Sequence, residues 1–329
     1  MEFQGVEIDL VFARIGLKEV GSNLENLIDD DILKNCDDVT ITSLNGSRVA
    51  DIILREVPNL ENFRTTLRCI KLWAKSRGIY SNVLGYFGGV TWMIMVAIIY
   101  KMCPYLEPNR LLKYFFFYFS KWDWNYRNPV MLVPVSHEWK IGISESLLYK
   151  ESENDLMSVL TPAYPAINSS HNVSISTKEA ILTEMEKAHM IVEALLKRDE
   201  RTGQKVNPEL TWNRLFKKFN FFGAYQHFIQ ITVLSVDGDH HKDWEGFVES
   251  KIRHFLKNLE SLRRIKGTFG LEFRPWPASF SIASTMTPQS DDGKSGVTYT
   301  KSSSFFIGIR VKMNQNVQSM TIDLSEQIK

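Results

Sequence analysis

Between Gly78 and Tyr100 the chain runs for 23 residues without a charge. Such a run admits only a bilayer span, which needs ~20 consecutive apolar residues, or core elements joined by a turn. Gly78, Ser81, Asn82, Gly85, Gly88 and Gly89 break its first half and leave Val90–Tyr100 as an apolar helix of eleven residues. That is the length of a buried core helix, so no membrane is expected. A core of this kind needs chain to surround it, and 329 residues predict two or three domains. With 44% apolar and 23% charged residues, wholesale disorder is excluded. Met1-Glu2 leads at once into strand-like sequence, with no basic-then-apolar leader, so no signal peptide is expected. The N-x-Ser/Thr sequons at Asn45, Asn168 and Asn172 then carry no meaning. Cys36, Cys69 and Cys103 are too few for a disulfide scaffold or zinc cluster and read as core thiols in a reducing compartment.

The net charge of +1 averages unlike parts: residues 1–57 hold twelve acids and five bases, a net of −7, which leaves +8 for the remainder. In the acidic opening, Val6, Ile8, Leu10 and Phe12 alternate with Glu7, Asp9 and Val11, predicting a strand with Glu7 and Asp9 on one face. Paired carboxylates of this sort either bind a divalent cation such as Mg²⁺ or are solvated residues of an edge strand. Asn45-Gly46 predicts a tight turn ahead of a helical segment over 52–57, and Pro58 is placed to open the next helix. That helix carries two stripes. Leu60, Phe63, Leu67, Ile70 and Ala74 face a core, while Arg64, Arg68, Lys71 and Lys75 form a cationic side that either clamps a triphosphate or pairs with local acids. Gly85-Tyr-Phe-Gly-Gly-Val90 sets glycines before a helix start, where free N–H groups favour phosphate, although it is neither a P-loop nor a dinucleotide fingerprint.

Leu111–Trp124 predicts a dense aromatic core, 128–137 and 161–165 loops with short extended pieces, and 178–197 a long helix burying Ile181, Met185, Ala188, Ile191 and Leu195. Near Asn220 the texture changes. A strand over 228–236, a helix over 244–262 and strands over 264–273 and 305–312 fit an α+β sandwich of the ferredoxin-like or RRM-like type, with 284–304 as a loop. Lys251, Arg253, Lys257, Arg263, Arg264 and Lys266 face one acid, Glu260, which marks either a nucleic-acid footprint or a solvated helix side. His240-His241 lies in a polar turn without ligand spacing, so no metal is expected there.

Eight strings then acquire a common meaning: Gly5-Val-Glu-Ile-Asp-Leu-Val-Phe-Ala-Arg14, Ser43-Leu-Asn-Gly-Ser-Arg-Val-Ala-Asp51, Ile70-Lys-Leu-Trp-Ala-Lys75, Ile79-Tyr-Ser-Asn82, Gly88-Gly-Val90, Phe119-Ser-Lys-Trp122, Thr161-Pro-Ala-Tyr-Pro165 and Val248-Glu-Ser-Lys-Ile-Arg253. In order and spacing they resemble the eukaryotic poly(A) polymerases (polynucleotide adenylyltransferases) over nearly the whole chain. The resemblance implies an α+β multidomain protein. Residues 1–57 would be the C-terminal part of a nucleotidyltransferase (polymerase beta-like) catalytic domain, 58–219 a helical central domain, and 220–329 an RRM-like (ferredoxin-like) RNA-binding domain.

It also implies roles. Asp9 matches the third metal-binding aspartate of a two-metal Mg²⁺ or Mn²⁺ site, Lys71 a phosphate-contacting lysine and Tyr80 an ATP-contacting tyrosine. Gly89 and Val90 match the pair lying against the nucleotide, with Asn82 and Asn45 as neighbours, and Lys251 and Arg253 stand in the RNA-contacting part. The family's Gly-Ser and Asp-x-Asp motifs should precede the strand of Asp9; Gly21-Ser22 with Asp29-Asp30-Asp31, and Asp237-Gly-Asp239, are decoys by position. The metal site is therefore expected to be incomplete in this chain, which alone is expected to be inactive. The complete protein would add AMP from ATP to RNA 3′ ends in the nucleus, with cleavage and polyadenylation factors as partners. The alternatives are a non-catalytic RNA-binding or scaffold remnant, and a related nucleotidyltransferase adding uridine or CCA.

Overall fold

A computed structural model describes residues 2–4, 6–8, 10–16, 27–134, 143–198, 202–236, 240–261, 269–282 and 301–313. The chain divides into two compact units, Met1–Ile70 with Gly89–His171, and Lys71–Gly88 with Asn172–Lys329.

The first unit opens with a minimal hairpin of β1 (Glu2–Phe3) and β2 (Val6–Glu7), antiparallel, with Glu2 opposite Glu7. The strand expected through Phe12 stops at Glu7. Alternation marks a strand only where a ladder partner and a covering face exist, and Leu10, Val11 and Phe12 are exposed with no strand beside them among the described residues. Helix α1 (Asp38–Glu56) corrects a second expectation, because it runs straight through Asn45-Gly46. Its start is fixed by Asp37, whose carboxylate accepts the Thr40 N–H at 2.7 Å. Ile41, Leu44, Val49 and Ile53 then recur at helical spacing and are all buried, so the apolar period overrides the turn dipeptide.

Helix α2 (Leu60–Ser76) is begun by Asn59, whose side chain accepts the Glu61 and Asn62 N–H groups, and not by Pro58. Phe63, Ile70, Trp73 and Ala74 are buried, whereas Arg64, Arg68 and Lys75 are exposed and Lys71 is half-buried. Helix α3 (Gly89–Met102) is the uncharged segment, buried on every side from Ile94 to Tyr100. Around it in the first unit lie α1, α4 (Pro108–Lys121) and the short parallel pair β3 (Val130–Met131) and β4 (Val159–Leu160). The aromatic core is there: Phe115, Phe116 and Phe119 are buried and meet edge-on at 5.1 and 5.4 Å, although Phe117 is half exposed. Among the described residues no helix is long and apolar enough to cross a membrane.

In the second unit, α5 (Ile175–Leu196) begins at a capping box between Ser174 and Thr177 and buries Ile181, Met185, Ala188, Val192 and Leu195, with Ile191 half-buried. The short helix α6 (Phe221–Ala224) leads into an antiparallel sheet of β5 (His227–Ser235), β6 (Phe269–Pro275), β7 (Phe280–Ile282) and β8 (Lys301–Met313), ordered β5-β8-β6 with β7 also on β8. Helix α7 (His241–Ser261) covers one face through Ile252, Leu256 and Leu259. Strand β7 has no counterpart in the sequence reading. β8 starts four residues before Phe305, so Lys301–Ser304, expected in a loop, is strand. Its serines read as loop, yet Ser303 is buried with its hydroxyl 2.8 Å from His241 Nε2. His241 is thereby a buried first residue of α7 and not part of a polar turn. Residues 284–300 lie outside the described set.

Candidate functional site

The expected nucleotide residues are divided by the two units. Lys71, Tyr80 and Asn82 belong to the second, and Asn45, Gly89 and Val90 to the first. Lys71 sits on the polar side of α2, half-buried and with no carboxylate in ion-pair reach among the described residues. The cation that meets Tyr80 is Lys75, one turn further on, its ammonium 5.2 Å from the ring centre. Burial pushes the Tyr80 phenol above its ordinary range. Asn82 anchors the glycine turn through its carbonyl, which accepts the Gly85 N–H and the Asn172 side-chain amide, both at 3.1 Å. Gly85 has φ +84°, and a Cβ there would meet the Asn172 carbonyl oxygen at 2.8 Å. The turn that delivers the chain to α3 therefore requires glycine.

Gly89 and Val90, both half-buried, supply the first turn of α3, where backbone N–H groups have no intrahelical acceptor. Asn45 is buried in α1, and its amide donates to the Pro165 carbonyl at 3.3 Å. That bond ties α1 to the Thr161–Pro165 segment, a contact invisible in sequence because the partners are 120 positions apart. Beside it, the buried Arg48 donates to the carbonyls of Leu27, Ile28 and Tyr164 and pairs with Asp30.

Helix α7 separates the two RNA candidates. Lys251 is exposed, its ammonium 5.2 Å from the Phe247 ring centre, while Arg253 is half-buried and bonds to the Asn172 side chain. Of the wider basic run, Lys257 is exposed, and Arg263, Arg264 and Lys266 lie outside the described residues.

Asp9 also lies outside the described residues. Asp29 caps a 3-10 turn and Asp30 is engaged by Arg48, while Gly21-Ser22 and Asp237–Asp239 are outside the described set. Among the described residues no group of three or more His, Cys, Asp or Glu is placed to hold a metal ion.

Sequence reading missed a heavily charged interior cluster of the second unit. Glu184, on the apolar side of α5 between Ile181 and Ala188, is 1% exposed. Its carboxylate accepts Arg77 Nε at 2.7 Å, Arg274 Nη1 at 3.2 Å and Lys187 Nζ at 3.3 Å. Burial alone would raise its carboxyl, but the Arg77 hydrogen bond and the charges of Arg274, Arg77 and Lys187 outweigh it and hold the group below the usual range. Arg274 further donates to the Arg77 carbonyl at 2.7 Å and lies 4.0 Å over Phe219. Phe219 in turn stacks on Trp276, whose ring packs against Gly78. The available signal was a glutamate at a core position of the α5 period.

Family models match the chain in an unbroken order. The poly(A) polymerase nucleotidyltransferase domain covers residues 1–57, the poly(A) polymerase central domain 62–218, and the poly(A) polymerase predicted RNA binding domain 220–274. A poly(A) polymerase of Dictyostelium discoideum is 39% identical over 281 residues, covering 85% of this chain and 32% of that protein. Nuclear poly(A) polymerases 1 and 4 of Arabidopsis thaliana are each 38% identical over 260 residues, covering 79% of this chain and 35% and 33% of those proteins. The chain thus spans about a third of the length of the relatives it matches.

Proposed function

Because the chain belongs to the poly(A) polymerase family, we propose that it takes part in template-independent transfer of AMP from ATP to RNA 3′ ends. The observation that carries this reading is the ordered match of all three domain models, with the cationic side of α2 and the glycine turn before α3 inside the central one. In this reading residues 1–57 belong to the nucleotidyltransferase domain, 58–219 form the central domain and 220–329 the RNA-binding domain. The last is assigned the RRM-like (ferredoxin-like) class, supported by its β-α-β-β-β order and its helix-backed antiparallel sheet.

The reaction joins a ribose 3′-hydroxyl to the α-phosphorus of ATP and releases pyrophosphate, so charge on the phosphates must be met by positioned donors. Lys71 supplies a cation with no carboxylate in ion-pair reach among the described residues. Tyr80 and Asn82 line the turn, and the N–H groups of Gly89 and Val90 offer donors at a helix start. Asn45, whose amide donates to the Pro165 carbonyl, is assigned as a further neighbour of the nucleotide, and Lys251 and Arg253 are assigned as RNA contacts. Mg²⁺ or Mn²⁺ is the cofactor implied by the family, with Asp9 as this chain's contribution to catalysis and to the metal. RNA, ATP and cleavage and polyadenylation factors are the proposed partners. A nuclear location is supported by the names of the Arabidopsis relatives.

The test is nucleotide choice by the full-length protein carrying this chain, given an oligo(A) primer and each of the four nucleoside triphosphates. Preferential AMP addition supports the reading. Preferential UMP or CMP addition would move the protein to a related nucleotidyltransferase, and RNA binding without any addition would make it a scaffold.

A further inference from the structure

Beside the Glu184 cluster, wholly within the second unit, lies an open cavity of about 490 Å³, inside the ~300–1,000 Å³ range of ligand sites. One wall is aliphatic, formed by Ala188, Ile191 and Ala194 of α5 with Leu210 and Leu215 opposite. The other is cationic. Arg77 and Lys187 stand in it and share the carboxylate of Glu184 with Arg274, which is buried behind the wall, an excess of two positive charges over that carboxylate among the described residues. Arg214, exposed on the far lip, adds a third and has no carboxylate in ion-pair reach among the described residues. Met190, 63% exposed, stands on the rim.

We propose that this trough binds a short acidic and apolar peptide segment of a protein partner. Its length follows from α5, because Glu184, Lys187, Ile191 and Ala194 lie on successive turns. The ten steps from Glu184 to Ala194, at 1.5 Å rise each, make a trough of about 15 Å. An extended peptide at ~3.3 Å per residue fills that with four or five residues. The excess positive charge selects Asp or Glu, the aliphatic wall selects a Leu, Ile or Phe beside it, and the flexible Met190 thioether adapts to the fit. Single-stranded RNA fits less well, since its bases need free aromatic faces for stacking. The aromatic residue in the wall, Trp73, is only 1% exposed. This inference is independent of the nucleotide reading: it uses the side of α2 that carries Trp73, with Arg77 just past the helix end, not the side of Lys71.

The experiment displays a random decapeptide pool against the immobilised 329-residue chain and against its Met190→Asp/Arg214→Glu variant. Both side chains are exposed, and equal thermal unfolding checks that the variant keeps its fold. Peptides held by the parent chain should be enriched in Asp or Glu next to Leu, Ile or Phe. Labelled and titrated by fluorescence anisotropy, they should bind the variant at least tenfold more weakly and should not be displaced by oligo(A). Should the double variant unfold, Arg214→Gln alone should weaken the same peptides at least threefold. The proposal is overturned if no peptide depends on these residues, if the selected peptides lack acids, or if oligo(A) displaces them, which would give the trough to RNA.

Discussion

Replacing Glu184 by Gln keeps the side chain's shape and removes the negative charge that Arg77, Arg274 and Lys187 share. Arg274 is 5% exposed and lies over Phe219, and Arg77 is held by the Lys217 carbonyl at 2.8 Å. Both guanidinium groups would stay in place without a counter-charge. Breaking a buried pair from one side costs about 3–5 kcal/mol. For a body of this size, at ~2–4 °C per kcal/mol, the midpoint should fall by roughly 6–20 °C. Lys187→Ala is the control, since its ammonium touches the same carboxylate at 3.3 Å but is about half exposed, so its loss should stay within ~1 kcal/mol. The pH dependence has a definite sign. The Glu184 carboxyl is held below its ordinary value in the folded chain, so its contribution is complete above the unfolded pKa of ~4.3 and fades as pH falls through the lower folded value. Unfolding followed by tryptophan fluorescence should show a constant gap between parent and Glu184→Gln from pH 8 to about 5.5, narrowing below about 4.3. A loss under 1 kcal/mol at pH 7, or a gap that widens in acid, would refute the assignment of this carboxylate as the charge that holds the cluster together.

Three further outcomes follow from the proposed chemistry and are measured in the full-length protein. Lys71→Ala should lower kcat/KM for ATP by ~1.5–3 kcal/mol, the range for a hydrogen bond to a charged group, while Arg64→Ala, exposed on the same helix, should stay within ~0.5 kcal/mol. Asp9→Ala should abolish primer extension while leaving RNA affinity nearly intact, and retention of more than about a tenth of kcat would remove it from the metal site. Lys251→Ala should weaken oligo(A) binding and lower the salt slope by ~1 without changing thermal stability; Arg253→Ala, which also breaks the Asn172 bond, should lower both.

What could be read from the sequence, and what could not, follows from the range of the forces involved. The interiors of α3, α4 and α5 were legible because each is fixed by a local pattern, an unbroken apolar run in α3 and an apolar period in α4 and α5, which survives whatever surrounds it. The Glu184 cluster was not, because Arg77 and Arg274 stand 107 and 90 positions from Glu184, and only the fold brings them together. The strand over 6–12 was over-read for the same reason, since pairing is tertiary. Among the candidate site residues, the cationic side of α2 was legible as a stripe, but the engagement of Asn45 with Pro165 and of Arg253 with Asn172 was not.

Glycine shows the limit most sharply, because the same residue type marks a turn at Gly85 and nothing of the kind at Gly46. Gly46 lies inside α1 with no atom within 4 Å of a built Cβ, so alanine there gains helix propensity without a clash. Gly46→Ala should stabilise the chain by up to ~1 kcal/mol. At Gly85 the backbone is left-handed at φ +84°, a conformation costing an L-residue ~1–2 kcal/mol, and the added methyl would press on the Asn172 carbonyl at 2.8 Å. Gly85→Ala should therefore destabilise by at least ~2 kcal/mol, the clash adding to the conformational cost. Paired urea unfolding of the two variants decides the matter. Changes of the same sign would show that the environment of the glycine turn before α3, and with it the path that presents Gly89 and Val90, has been misassigned.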